Sequence, residues 1–325
     1  MDSAIPSLSV VVVATSDYAL VRRTVEHLRA QTIQDQIEVL LVCESEATLG
    51  APSDVLDGFH NTQLIEHGPI ENVDRAQAPG IRAATADVVA LVEDHAYPAP
   101  TWAEDLLAAY ASGPWSVVGS SIANANPRSA LSWANLLIGY GTMGWVDPIR
   151  QGEIDALPNH NVSYRREVIQ AYDDGLEDKL VRESGFHSEL VEAGHRFYLS
   201  PARVYHVNPS RAASVWALRF AAGRLYGAQR AEGWSPVKRL AYTAGSPLIP
   251  LVRLRRFKQD MFDGGPHGSL WPRVGPATLF GFLADAAGQA AGYAAGEGDS
   301  PEKLAAFEFY RMRHVTDQDK ADMLA

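Results

Sequence analysis

The segment DVVALVEDHAYPAP, residues 87–100, holds a dense set of polar groups in an apolar setting. Its run of five apolar residues, 88–92, has the composition of a strand buried on both faces. The run stops at Glu93, Asp94 and His95, with Pro98 and Pro100 just beyond. Carboxylate oxygens and imidazole nitrogens side by side are ligands for a divalent cation. A second histidine, His206 in VYHV, also closes a strand-like run. A histidine there serves equally as a metal ligand or as a buried hydrogen-bonding residue, and both readings stand. An ion shared by His95 and His206 would sit among nitrogens, which shifts preference from Mg toward Mn or later metals. Its binding would weaken as the imidazoles take up protons.

Such groups must be positioned by regular elements. Residues 8–14, LSVVVVA, read as a buried strand, followed by TSDY, where Ser16 or Asp17 can cap the next helix. YALVRRTVEHLRAQT places Leu20, Val21, Val25 and Leu28 at helical spacing. IEVLLVCES is a second strand ending in Glu44, and DVVALVEDH a third, preceded by the short helix IRAATA. TWAEDLLAAYAS is then a helix and WSVVGSSI another strand. This alternation predicts an α/β fold with a mainly parallel sheet, whose ligands bind beyond the carboxyl ends of the strands. TSDY, CESE and EDH all lie at such ends, so the topology gathers them on one rim. Neither a Gly-x-Gly-x-x-Gly turn after the first strand nor a P-loop is present, which removes the dinucleotide and P-loop nucleotide sites.

Composition narrows the classes further. The chain has 46% hydrophobic and 21% charged residues, as a folded globular protein does. Its single cysteine, Cys43, excludes a disulfide framework, and no basic leader or long apolar span is evident. The formal charge of -11 argues against nucleic acid as a partner. A cytoplasmic location follows, with peripheral contact at the inner face of the membrane as an added expectation. Residues 211–258 run against the overall charge: nearly every charged residue there is basic, interleaved with Trp216, Phe220, Leu225 and Tyr226. That stretch suits either an anionic membrane surface or a packed helical extension with a solvated face. The small residues at 283–296 suit a helix–helix contact or a homodimer contact. The expected organisation is a catalytic domain over 1–208 and a basic, mostly helical extension over 209–325.

In order along residues 8–207, these segments resemble the family-2 glycosyltransferases, inverting enzymes of the GT-A fold, in their bacterial form. The carriers are VVVATSDYALVRRTVEHLRAQT, EVLLVCESE, AQAPGIRAATADVVALVEDHAYPAPTW, LPNHNVSYRREVI and ESGFHSELVEAGHRFYLSPARVYHV. The resemblance implies a nucleotide-diphosphate sugar donor, UDP-type, a Mn or Mg ion, and a carbohydrate or lipid-linked acceptor. It assigns Thr15, Asp17, Glu44, Asp74, Arg75, Glu93 and Asp94 to the donor nucleotide, and His95 and His206 to the metal. Asn161, Arg165 and Arg166 fall on the acceptor-side segment. Register on Ala193 and Gly194 puts Glu183 at the catalytic base, with Arg182 in place of a neighbouring acid and Glu177 and Asp178 as competitors. Gln77 and Ala78 replace the family's Arg-Asn, and Glu-Asp-His replaces its Asp-x-Asp. Those departures keep a second class open, a non-catalytic nucleotide-sugar-binding or scaffold protein. A sugar nucleotidyltransferase ranks behind both, because ATSDYAL lacks the Gly-rich basic loop it would need.

Overall fold

The computed structural model describes residues 5–141, 151–158, 160–263 and 269–324; at 183, 184, 260–263, 322 and 324 it describes the backbone alone. The chain divides into two units, one of Met1–Ala123 with Ile149–His206, the other of Asn124–Pro148 with Val207–Ala325. The division near 206 lies close to the expected boundary at 208, but residues 124–148 join the C-terminal unit.

The first unit contains β1 (Leu8–Val13), α1 (Tyr18–Arg29), β2 (Ile37–Cys43), α2 (Glu46–Leu49), β3 (Asn61–Glu66), α3 (Val73–Ala76), α4 (Ala78–Ala83), β4 (Val88–Glu93), β5 (Ala96–Pro98), α5 (Trp102–Ala111) and β6 (Val117–Asn124). The chain passes through α6 (Ala130–Tyr140) of the second unit and returns as β7 (Gly152–Ile154), β8 (Val162–Arg165), α7 (Arg166–Gln170), α8 (Leu176–Val181), α9 (Glu183–Glu192) and β9 (Phe197–His206). Sheet order is β3-β2-β1-β4-β8-β6-β9-β5, with β7 on β9. The pairs β3-β2, β2-β1 and β1-β4 are parallel, and β8 and β9 add antiparallel pairs.

Every residue of β1, β2 and β4 is buried, which is why their sequences are continuous apolar runs without alternation. Polar exceptions are answered locally. Glu38, at the start of β2, accepts from Ser9 Oγ at 2.5 Å, Thr85 N at 2.9 Å and Asn61 Nδ2 at 3.0 Å, stitching three strands at the end away from the rim. Asp17 caps α1 by accepting from Ala19 N at 3.1 Å. α4 lies directly on the sheet: a Cβ on Gly80 would stand 2.5 Å from Val11 Cγ1. β3 escapes the sequence reading because its six residues, NTQLIE, are exposed or half-buried and carry no apolar run.

The second unit adds α10 (Ala212–Arg230), α11 (Pro236–Gly245), α12 (Ile249–Asp263), α13 (Trp271–Ala295), α14 (Ser300–Phe309) and α15 (Asp317–Leu324) to α6. α13 runs through Pro272, at its first turn, and Pro276, where the sequence suggests shorter pieces. The small residues expected to serve a helix or dimer contact serve the pairing of α10 with α13. A Cβ on Gly223 would meet Asp285 O at 2.1 Å, and one on Gly288 would meet Phe220 O at 2.1 Å. Gly227 and Gly292 face the partner backbone in the same way, so the two helices touch main chain to main chain. Asp285 beside this contact pairs with Arg253 and accepts from Gln289 Nε2 at 2.8 Å.

Gly288→Ala should therefore destabilise the protein by about 1–3 kcal/mol, because backbone on the facing helix cannot yield as a side chain would. Ala has the higher helix propensity, by about 1 kcal/mol, so a variant that is more stable in thermal or urea unfolding would contradict the close contact.

Candidate functional site

The parallel register sets the rim. Val13 lies opposite both Val42 and Glu93, so β1, β2 and β4 end level with one another. Glu93 closes β4, Glu44 follows β2 directly and Thr15 lies two residues beyond β1. Beyond Glu93 the chain bends at Asp94 and His95 and enters β5, in which Ala96 pairs with His206 of β9. That antiparallel bridge joins residues more than a hundred positions apart in the sequence. It brings the rings of His95 and His206 to 5.0 Å between centroids.

Glu93 stands between the two imidazoles, with Oε1 3.5 Å from His95 Nε2 and Oε2 3.3 Å from His206 Nε2. All three side chains are buried, and one ligand atom from each lies within 4.8 Å of the others. Burial alone would raise the Glu93 carboxyl; the imidazoles of His95, His160 and His206 outweigh it and hold the group well below the usual carboxylate range. An ionised carboxylate and two imidazole nitrogens at this spacing form a donor set for a divalent cation.

The surrounding bonds orient those donors. Asn161 donates from Nδ2 to Glu93 Oε2 at 2.6 Å, and its Oδ1 accepts from Glu93 N at 3.4 Å. Asn161 adopts a left-handed backbone, φ 57°, a conformation that asparagine takes more readily than most residues. Asp94 points the other way, accepting from Thr15 Oγ1 at 2.6 Å and lying 2.8 Å from His95 Nδ1. A carboxylate only accepts, so His95 Nδ1 is the donor there, and the other ring nitrogen, Nε2, faces Glu93. A carboxylate behind a histidine is the arrangement that orients and strengthens metal-binding imidazoles. Thr24, on the buried face of α1, donates to Asp94 O at 2.8 Å with Ala96 O 3.1 Å away, pinning the bend itself.

The structure sorts the sequence-derived site residues unevenly. It places Glu93, not Asp94, between the His95 and His206 rings, while Asp94 bonds the opposite nitrogen of His95. Thr15 is buried against Asp94, whereas Asp17 caps α1 and Glu44 is exposed at the end of β2. Asp74 and Arg75 lie on α3, where Arg75 pairs with Asp178 of α8 at 2.5 Å. Glu177 pairs likewise with Arg82, whose hydrogen bond holds its carboxyl below the ordinary value.

Arg165 and Arg166 correct the acceptor-side expectation. β8 runs antiparallel to β4, with Leu91 opposite Val162 and Val88 opposite Arg165. Each step from Asn161 therefore leads away from the rim, by roughly 13 Å over four residues. Arg165 Nη2 donates to Tyr110 O at 3.2 Å, and Arg166 Nε to Ala86 O at 2.8 Å, both at the far end of the sheet. Of Asn161, Arg165 and Arg166, only Asn161 reaches the cluster. Glu183 opens α9, and its side chain lies outside the described residues. The sequence reading missed Thr24 and His160; a lone threonine in the apolar stripe of Val21, Val25 and Leu28 was the available signal for the first.

A family model described as "Glycosyl transferase family 2" matches residues 9–174. Among curated proteins none matches the chain. A solved structure of GalNAc-T7 with UDP, GalNAc and Mn2+ aligns at 13% identity and a TM-score of 0.45, covering 63% of this chain and 44% of that one. The chain thus spans less than half the length of that protein.

Titration of the protein with Mn2+ should give one tight site that Glu93→Gln or His206→Ala removes. Asp94→Asn, which keeps the shape but not the charge behind His95, should weaken binding by about 10–100-fold. Unchanged affinity in all three variants would dismiss the cluster as a metal site.

Proposed function

This chain belongs to glycosyl transferase family 2, and from that premise we propose that it moves a sugar from a nucleotide-diphosphate donor, UDP-type, to an acceptor hydroxyl with inversion at the anomeric carbon. The observation that carries the reading is the buried Glu93–His95–His206 cluster at the carboxyl rim of the parallel strands, where α/β sheets bind ligands. Those three residues would hold a divalent cation, Mn before Mg by the nitrogen content. When bound, such an ion offsets the charge that develops on a departing diphosphate.

The other tasks fall to side chains. Asp94 and Thr15 keep the His95 ring in place, Asn161 keeps the Glu93 carboxylate turned to the histidines, and Thr24 holds the bend. Fixing donors before substrate arrives avoids reorganisation during the reaction. Glu183 acts as the base: the acceptor oxygen forms its bond to C1 while the C1–O bond to the diphosphate breaks with its electron pair, and the hydroxyl proton passes to the carboxylate. Its competitors Glu177 and Asp178 are each paired with a guanidinium, and the hydrogen bond from Arg82 makes Glu177 a weaker base, which supports the choice. Glu44, exposed where β2 ends, is available to accept from the donor nucleoside or its ribose. A carbohydrate or lipid-linked hydroxyl is the acceptor class.

Incubation with UDP-, GDP- and dTDP-sugars, Mn2+ and a panel of acceptors should show transfer or slow donor hydrolysis with one of them. Glu183→Gln should lower kcat by about 10²–10⁴-fold while leaving donor affinity nearly unchanged. Donor binding without turnover, indifferent to Glu183→Gln, would identify a binding or scaffold protein instead.

A further inference from the structure

α11 and α12 follow one another through the short helical turn Ser246–Leu248, where Gly245, Ser246 and Ile249 all keep right-handed helical backbone. One side of the pair is fastened to α13: Arg239 donates to Tyr293 O at 3.4 Å, Arg253 pairs with Asp285, and Phe257 packs edge-on against Phe282 at 5.8 Å. The opposite side is apolar and faces solvent. No residue of α11 is buried, although Val237, Leu240, Ala241 and Ala244 recur at the spacing of a core-facing stripe. Val237 is 78% exposed and Leu240 70%; Leu248 and Leu251 follow at 63% and 64%. A scattered exposed leucine is ordinary on a protein surface, but a continuous stripe across two helices marks an interaction face.

Charge selects the partner. From Gly233 to Gln259 the sequence has six basic residues and no acidic one, while the whole chain carries -11. Arg239 and Arg253 are used within the fold. Lys238, Arg255 and Arg256 are exposed beside the apolar stripe. A chain this acidic is repelled by an anionic surface everywhere except at such a face. Among the described residues no helix is long and apolar enough to cross a membrane. An exposed apolar stripe flanked by basic side chains has the chemistry of an element lying in the interface.

We infer that the consecutive helices α11 and α12 dock the protein on an anionic lipid bilayer, with Val237, Leu240, Leu248 and Leu251 entering the headgroup region and Lys238, Arg255 and Arg256 meeting lipid phosphates. Because the backbone stays helical through Gly245, Ser246 and Ile249, the apolar side chains of the two helices continue one stripe. Docking is separate from catalysis and stands whichever donor or acceptor the rim binds.

Sedimentation of the full chain with phosphatidylserine-containing vesicles, against pure phosphatidylcholine, tests the assignment. Binding should favour the anionic vesicles and weaken with added salt. Lys238→Gln with Arg255→Gln and Arg256→Gln should lower the partition coefficient roughly a hundredfold, the order expected for three interfacial cations. Leu240→Glu with Leu251→Glu should abolish binding while circular dichroism and thermal midpoint stay unchanged, since both side chains are exposed. Equal binding to both vesicle types, or none, would overturn the inference. So would a homodimer in sedimentation velocity that the leucine substitutions dissociate, because the stripe would then belong to a second copy of the chain.

Discussion

A carboxylate shut away from water must be met by donors or counter-charge, and Glu93 is the place where this protein meets that demand. Its surroundings come from three separate parts of the chain: His95 beyond the bend, Asn161 with its neighbour His160 before β8, and His206 at the end of β9. Burial opposes the ionised form and the imidazoles favour it, with the balance on the side of ionisation. A second shell repeats the principle: Asp94 answers the His95 ring and is answered by Thr15. Polar networks of this kind are costly when partly satisfied, which ties the order of the bend, the two histidines and the flanking strands to one another.

The rim on which this cluster sits depends on β1, β2 and β4 being parallel, level and wholly buried. Parallel strands need long crossovers, and α1 and α4 supply two of them while doing further work. α1 places Thr24 under the bend, and α4 approaches β1 closely enough that only glycine fits at position 80. The antiparallel strands then close the site from the other side. β8 delivers Asn161 and carries its arginines away, and β9 delivers His206 through its pairing with β5.

The helical unit is governed by different physics. α10 and α13 approach so closely that glycine is required on both, and the polar groups beside the contact, Asp285, Gln289 and Arg253, are bonded to one another. α13 also packs against α11 and α12, and among the described residues the apolar stripe of α11 faces solvent.

Much of the first unit is legible without coordinates. Apolar runs bounded by polar tips define β1, β2 and β4 because strands buried on both faces have no alternation to hide. Alternation with helices implies the parallel rim, and the order of motifs points to the family that matches residues 9–174. His95 and His206 are visible as residues of the right chemistry at the right ends of strands. Their meeting is not, because it rests on the Ala96–His206 pairing, a long-range contact that no local pattern encodes. For the same reason the direction of β8 could not be read from VSYR, and with it went the placement of Arg165 and Arg166. Glycine spacing in α10 and α13 shows that something must come close; only packing decides that it is the other helix of the same chain. Composition and periodicity thus determined which residues are able to act and on what kind of element each lies. The tertiary structure alone decided which of them face one another, since that depends on strand order, direction and register, which are set by the burial of the whole sheet and not by any one segment of it.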